Sequence, residues 1–121
     1  MDRKLEEQLF KKYPKLLKKS TLNYGCENDS GWYWLINNLC NCIQRYIDQN
    51  SRVKQIEVTQ IKEKFGGLRF YTNHSETLIE GMIWFAEALS YTICEKCGNN
   101  DAKPNSEGWI KTLCGVCRKS G

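Results

Sequence analysis

Two Cys-x-x-Cys pairs, Cys94-Glu-Lys-Cys97 and Cys114-Gly-Val-Cys117, stand sixteen residues apart near the end of the 121-residue chain. A Cys-x-x-Cys turn brings two thiolates to one ion, and a second such turn completes a tetrahedral set of four sulfurs, the spacing of a structural zinc site. Four protein ligands leave no position for water, so the chemistry expected of Cys94, Cys97, Cys114 and Cys117 is structural, with one zinc ion as cofactor. Iron, or a redox-active thiol pair, is the alternative use of the same sulfurs. Gly98 suits the tight backbone of a knuckle, and Trp109 to Leu113 reads as a strand leading to the second pair. Seven cysteines in all is an odd number, which a disulfide framework cannot use completely, so a reducing cytoplasm is expected. Cys40 then acts as a small core hydrophobe, and Cys26 as a surface or loop-packing thiol. Nothing near Cys26 argues for a nucleophile, and Cys42 is left as a third free thiol.

The remaining side chains offer little catalytic chemistry. There is one histidine, no Walker loop, no G-x-S-x-G elbow and no carboxylate-rich metal cluster. His74-Ser-Glu76 matches half of the zinc deaminase signature. A helix over 75–93 would hold His74 about 30 Å from Cys94 at ~1.5 Å per residue, too far to share an ion. Glu57 and Glu63 are the carboxylates left for general acid–base work, and no enzymatic activity is expected. Positive charge instead gathers at two places. Residues 1–19 hold seven Lys or Arg against three acids, and residues 52–73 hold five against two. Residues 74–93 hold three acids and no Lys or Arg. Lys62, Lys64 and Arg69 beside Tyr71 form a basic and aromatic group suited to a phosphate-bearing ligand, nucleic acid or nucleotide. A solvated strand edge that resists further pairing is the plainer use of those charges.

The elements that must position these residues read as α+β: helices packed around a small antiparallel β-hairpin, with a C-terminal zinc ribbon. A helix is predicted over Arg3 to Lys12 with Leu5, Leu9 and Phe10 inward, followed by Pro14 and a basic segment carrying Leu16 and Leu17. Ser20 to Gly31, rich in Asn, Gly, Asp and Ser, reads as a loop whose Asp29 or Ser30 caps the next helix. Trp32, Leu35, Ile36, Leu39, Cys40, Ile43, Tyr46 and Ile47 follow helical spacing up to Gln49. Trp32 at that helix start reads as core rather than as part of a stacking platform with Tyr33 and Trp34. From Val53 to Asn73 the period shortens to two, interrupted at Phe65-Gly66-Gly67, where Gly66-Gly67 supplies the positive φ of a turn. Ser75 to Ile93 reads as the last helix, capped by Ser75 and running directly into Cys94. Leu78, Ile79, Met82, Ile83, Ala86, Leu89 and Ile93 are its expected buried side. The whole makes a body over 1–93 and a ribbon over 94–121 in one folding unit. Hydrophobic residues at 40% and aromatics at 12% exclude a disordered chain. No apolar run reaches the roughly 18 residues of a bilayer span, and the charged start Met1-Asp-Arg-Lys-Leu-Glu-Glu7 has no apolar stretch after it, so neither a membrane span nor secretion by a classical signal is expected.

Gly31-Trp32, the stretch Val58-Thr-Gln-Ile-Lys-Glu-Lys-Phe-Gly-Gly-Leu-Arg-Phe-Tyr71, Cys94-Glu-Lys-Cys-Gly98 and Gly108-Trp-Ile-Lys-Thr-Leu-Cys114 together resemble small uncharacterised proteins encoded by bacteriophages and prophages. The resemblance implies an accessory protein of a mobile element that acts in the bacterial cytoplasm and counters host defence by binding. It supplies no catalytic residue. Two partners fit these expectations. One is a nucleic acid or signalling nucleotide held by Lys62, Lys64, Arg69 and Tyr71. The other is a host defence enzyme or nuclease that the protein inhibits by docking its hairpin or ribbon. No membrane contact is expected.

Overall fold

The computed structural model describes residues 1–120; Gly121, the last residue of the expected ribbon, lies outside the described residues. The Asp2 carboxylate accepts the backbone N–H groups of Lys4 and Leu5 and so starts α1, Arg3–Lys12. Leu9 turns inward from it, and Leu16 and Leu17 follow into the same core. Ser20–Gly31, expected to be loop throughout, contains β1, Cys26–Glu27. Two residues are too few to show alternation, and β1 is held by partners distant in sequence. A single 3₁₀ turn, Ser30–Trp32, then leads into α2, Tyr33–Gln49. Asp29 makes no side-chain cap there, and Ser30 Oγ instead accepts the Asp2 N–H at 2.8 Å, joining the starts of α1 and α2. Every expected apolar position of α2 except the half-buried Tyr46 lies in the core, and Trp32 is its largest fully buried side chain.

β2, Val58–Lys64, pairs antiparallel with β3, Gly67–Thr72, and parallel with β1, giving the sheet order β1-β2-β3. Simple alternation would put Val58 and Ile61 on opposite faces, yet both are fully buried. The register slips between Val58 and Gln60, leaving Thr59 without an opposite residue. A bulge of one residue reverses the phase, so both apolar side chains reach one core. The turn also differs from expectation. Its two residues with positive φ are Phe65 (53°) and Gly66 (83°), while Gly67 is already in β3, opposite Lys64. Gly67 serves closeness instead, because a Cβ there would collide with the Tyr91 hydroxyl.

The last long helix, α3, spans Thr77–Ser90, shorter than the predicted 75–93. Glu76 rather than Ser75 caps it, its carboxylate accepting the Ile79 N–H at 3.0 Å. It stops at Ser90, whose hydroxyl donates to the Glu87 carbonyl at 2.6 Å and accepts the Leu68 N–H at 2.9 Å. That contact satisfies the outer edge of β3 with a helix end, and the chain turns through Tyr91–Ile93 before Cys94. Ile79, Ala86 and Ile93 are buried as expected, Met82, Ile83 and Leu89 are half-buried, and Leu78, in the first turn, is exposed. Beyond it come β4, Lys103–Pro104, paired antiparallel with β5, Thr112–Leu113, and then α4, Gly115–Ser120. Trp109 to Lys111, expected in that strand, precede it. The architecture is α+β, helices with two small sheets and a C-terminal cysteine cluster. Among the described residues no helix is long and apolar enough to cross a membrane.

Two glycines should respond oppositely to the same change. Gly81, in the interior of α3, has open space where a Cβ would stand, so Gly81→Ala should stabilise the fold by about 0.8 kcal/mol through helix propensity. Gly67→Ala should destabilise it by about 1–3 kcal/mol through overpacking against Tyr91. Urea unfolding of both variants checks the pair.

Candidate metal centre

The segments Cys94–Gly98 and Cys114–Cys117 come together after the β4–β5 pair closes the loop between them. One sulfur from each of Cys94, Cys97, Cys114 and Cys117 lies within 4.8 Å of the other three, a group that can hold a metal ion. Cys97 and Cys114 Sγ are 3.6 Å apart, well beyond the ~2.05 Å of a disulfide. Two of the four sulfurs, those of Cys94 and Cys114, are buried, while Cys97 is exposed. His74, at the far end of α3, is outside the group.

The electrostatics of the cluster favour a cation at its centre. Burial works against ionisation of Cys94, but backbone N–H groups of Cys114, Cys97 and Lys96 bring its thiol down to about 6. The sulfur of Cys114, then burial, then the other sulfurs push Cys117 up to about 12. One thiolate thus forms readily and opposes the next, a conflict that a bound cation removes.

The loop is fastened to the body at one seam. Gly31 N–H donates to the Glu95 carbonyl at 2.6 Å, and Trp32 Nε1 donates to the Ile93 carbonyl at 2.9 Å. A Cβ on Gly31 would strike the carbonyl oxygens of Cys94 and Glu95, which explains glycine immediately before the buried tryptophan. Glu95 itself, between two of the cysteines, is only 2% exposed. Its carboxylate accepts the Asp29 N–H at 3.0 Å and meets Lys111 Nζ at 3.5 Å, and Lys111 also reaches Glu63 at 3.2 Å. Burial pushes the Glu95 carboxyl up while the Asp29 amide and Lys111 pull it down, with burial prevailing. Thr112 Oγ1 completes the seam by donating to the Gly66 carbonyl at 2.6 Å, so the β2–β3 turn rests on β5. None of Gly31, Glu95 or Lys111 has a sequence spacing that marks it; only the neighbouring Cys and Trp do.

The second group of expected residues is less united. Lys62 stands opposite Arg69 across the strands, and Lys64 stands opposite Gly67 with its Nζ 5.6 Å from the Phe65 ring centre. Arg69 is engaged internally: its Nη1 donates to the Leu68 carbonyl at 3.0 Å and to the Tyr91 hydroxyl at 3.4 Å. Glu27, opposite Lys62 on the other side, places an acid in the same row. Tyr71 is drawn away, into a groove between β3 and α3 that it shares with Glu80 and Glu87. Lys62 and Lys64 are thus the pair left on a common face. Of the other cysteines, Cys26 and Cys40 are buried and Cys42 is exposed. Burial, with Glu6 nearby, holds the Cys26 thiol up at about 12, so it is not a nucleophile.

Gly31→Ala should cost about 2–3 kcal/mol by forcing the seam apart, measured by urea unfolding, although the substitution alters no cysteine side chain. No family model matches the chain, and no curated protein or solved structure matches it.

Proposed function

We propose that Cys94, Cys97, Cys114 and Cys117 hold one structural zinc ion, and that the protein works by recognition rather than by catalysis. A tetrahedral site with Zn–S bonds of ~2.3 Å has sulfur–sulfur edges of about 3.8 Å, and the 3.6 Å between Cys97 and Cys114 agrees with that edge. The ribbon has a further need of the ion. Its buried apolar cluster consists of Cys94, Ala102 and Cys114, far too little hydrocarbon to fold a lobe. Purified protein should carry about one zinc per chain. Cys97→Ser or Cys114→Ser should release it and unfold the lobe from Cys94 onward while the helices of the body persist in circular dichroism.

The partner we propose is a protein, docked where the hairpin turn meets the ribbon. Phe65 carries this reading. It is 65% exposed and held at a φ of 53°, a conformation costing a non-glycine residue about 1–2 kcal/mol. A turn with both central residues at positive φ favours Asn-Gly, so an exposed aromatic there opposes both solubility and local preference, the pattern of a side chain kept for binding. Ile110 packs on the neighbouring Gly66, and Trp109 beside it is 82% exposed. Aromatic pairs of this kind anchor protein interfaces. The resemblance to phage-encoded accessory proteins makes a host defence enzyme or nuclease, inhibited in the bacterial cytoplasm, the partner class of choice.

A phosphate-bearing ligand on the hairpin is the second reading. It is favoured by Lys62 and Lys64, neither of which has a carboxylate within ion-pair distance among the described residues. The two readings separate in one set of variants. For the protein partner, Phe65→Asn should raise stability by about 1 kcal/mol, yet Phe65→Asn and Trp109→Ala should each weaken capture of the partner from host cells about tenfold or more. Lys62→Ala and Lys64→Ala should leave it nearly unchanged. Two phosphate contacts would instead give about a tenfold loss between 50 and 200 mM salt, abolished by the lysine substitutions.

A further inference from the structure

The acidic helix and the displaced Tyr71 meet in a part of the molecule that neither reading uses. A groove of about 370 Å³ runs between β3 and α3, walled by Tyr71 on the strand and by Glu80, Ile83, Trp84 and Glu87 on the helix. Trp84 is 76% exposed, so its indole is a free face at the rim rather than a core side chain. His74 lines the groove at one end, and no Lys or Arg does. Burial raises the Glu87 carboxyl, only partly offset by Arg69. Arg69 does not neutralise it by contact, because Leu68 and Tyr91 hold the guanidinium and no cation lies within ion-pair distance of Glu87 among the described residues. Glu80 accepts one hydrogen bond, from the Ser75 hydroxyl at 2.5 Å.

A partly desolvated carboxylate without a counter-ion, a second carboxylate two helical turns away, and two aromatic rings are complementary to one kind of group. A guanidinium or alkylammonium satisfies the carboxylates by charge and the rings by cation–π attraction. An anion would meet two negative charges, and a neutral apolar group would leave Glu87 desolvated and unpaired. We propose that the groove between β3 and α3 binds an organic cation of the guanidinium or alkylammonium type through Glu87, Glu80, Trp84 and Tyr71. Such a cation is either a free small molecule or the side chain of a basic peptide, and the recognition chemistry is shared. This site lies apart from the hairpin–ribbon tip and stands whether or not that tip binds a protein.

Methylguanidinium chloride and a short blocked peptide bearing one arginine serve as probes, titrated into the full-length zinc-loaded protein while the Trp84 indole N–H and the β3 amides are followed by NMR. Both probes should give saturable shifts at Trp84 and Tyr71, absent with urea, the neutral analogue, and with sodium chloride at equal ionic strength. Glu87→Gln, which keeps shape and removes charge, should weaken both about tenfold or more, and Trp84→Ala should do so comparably. The amide spectrum of each variant reports directly that it is folded, and Glu80→Gln gives a second, independent charge removal. Tighter binding of the peptide than of methylguanidinium assigns the groove to a basic side chain; equal binding assigns it to a free cation. Absence of saturable shifts with both probes, equal binding of urea, or affinity unchanged in both Glu→Gln variants would overturn the proposal.

Discussion

Residues 94–120 bury almost no hydrocarbon of their own. Four sulfurs converging within 4.8 Å are what the lobe has in place of a core, and on our reading the shape of everything after Ile93 depends on their being held together. The apolar cluster around them includes a single ordinary core residue, Ala102. The body, by contrast, encloses Trp32, Leu9, Leu16, Ile36, Ile43, Val58, Ile61 and Leu68 in one continuous cluster. Two stabilising principles therefore coexist in a short chain, hydrophobic burial in front and, on our reading, metal–thiolate bonding behind.

The seam between them transmits order in both directions. Gly31 lies flat against the backbone of Cys94 and Glu95 while Trp32, the next residue, fills the body core and holds the Ile93 carbonyl. Glu95 and Lys111 add charged contacts that link the cysteine turn to Glu63 of β2. A charge buried to this degree is strongly destabilising when its partner is lost, so the seam favours one docking geometry over its neighbours. The β2–β3 turn shares in this arrangement through Thr112 and Gly66. Fixing the cysteine lobe thereby fixes the exposed Phe65 as well, which connects a structural ion with a recognition surface.

Much of this was legible in residue order, and the exceptions have physical causes. Helical periodicity located α1 at Arg3–Lys12 and the buried stripe of α2, because a repeat of 3.6 is a local property repeated over many residues. Cysteine spacing located the four-sulfur group that can hold a metal, because each Cys-x-x-Cys turn is itself local. Non-local features were hidden. β1 is two residues long and exists through Ile61 and Lys62, and the bulge at Thr59 is revealed only by which side chains reach the core. The turn at Phe65-Gly66 defeated a reading that gave both positive φ values to glycine, since Gly67 is required by Tyr91 rather than by dihedral angle. Arg69 and Tyr71 were grouped with Lys62 and Lys64 by sequence proximity, but the fold gives each a different neighbour: Tyr91 for the arginine, Glu87 and Trp84 for the tyrosine groove.

Amide hydrogen exchange before and after removal of metal by a chelator addresses the central claim most directly. The N–H groups of Cys94, Gly98 and Arg118, bonded to the carbonyls of Asn99, Cys94 and Cys114, belong to the cysteine lobe. Their protection should be present in the zinc-bound protein and vanish on chelation, while amides of α2 and β2 stay protected. A metal-free protein whose lobe amides exchange as slowly as before would contradict the account.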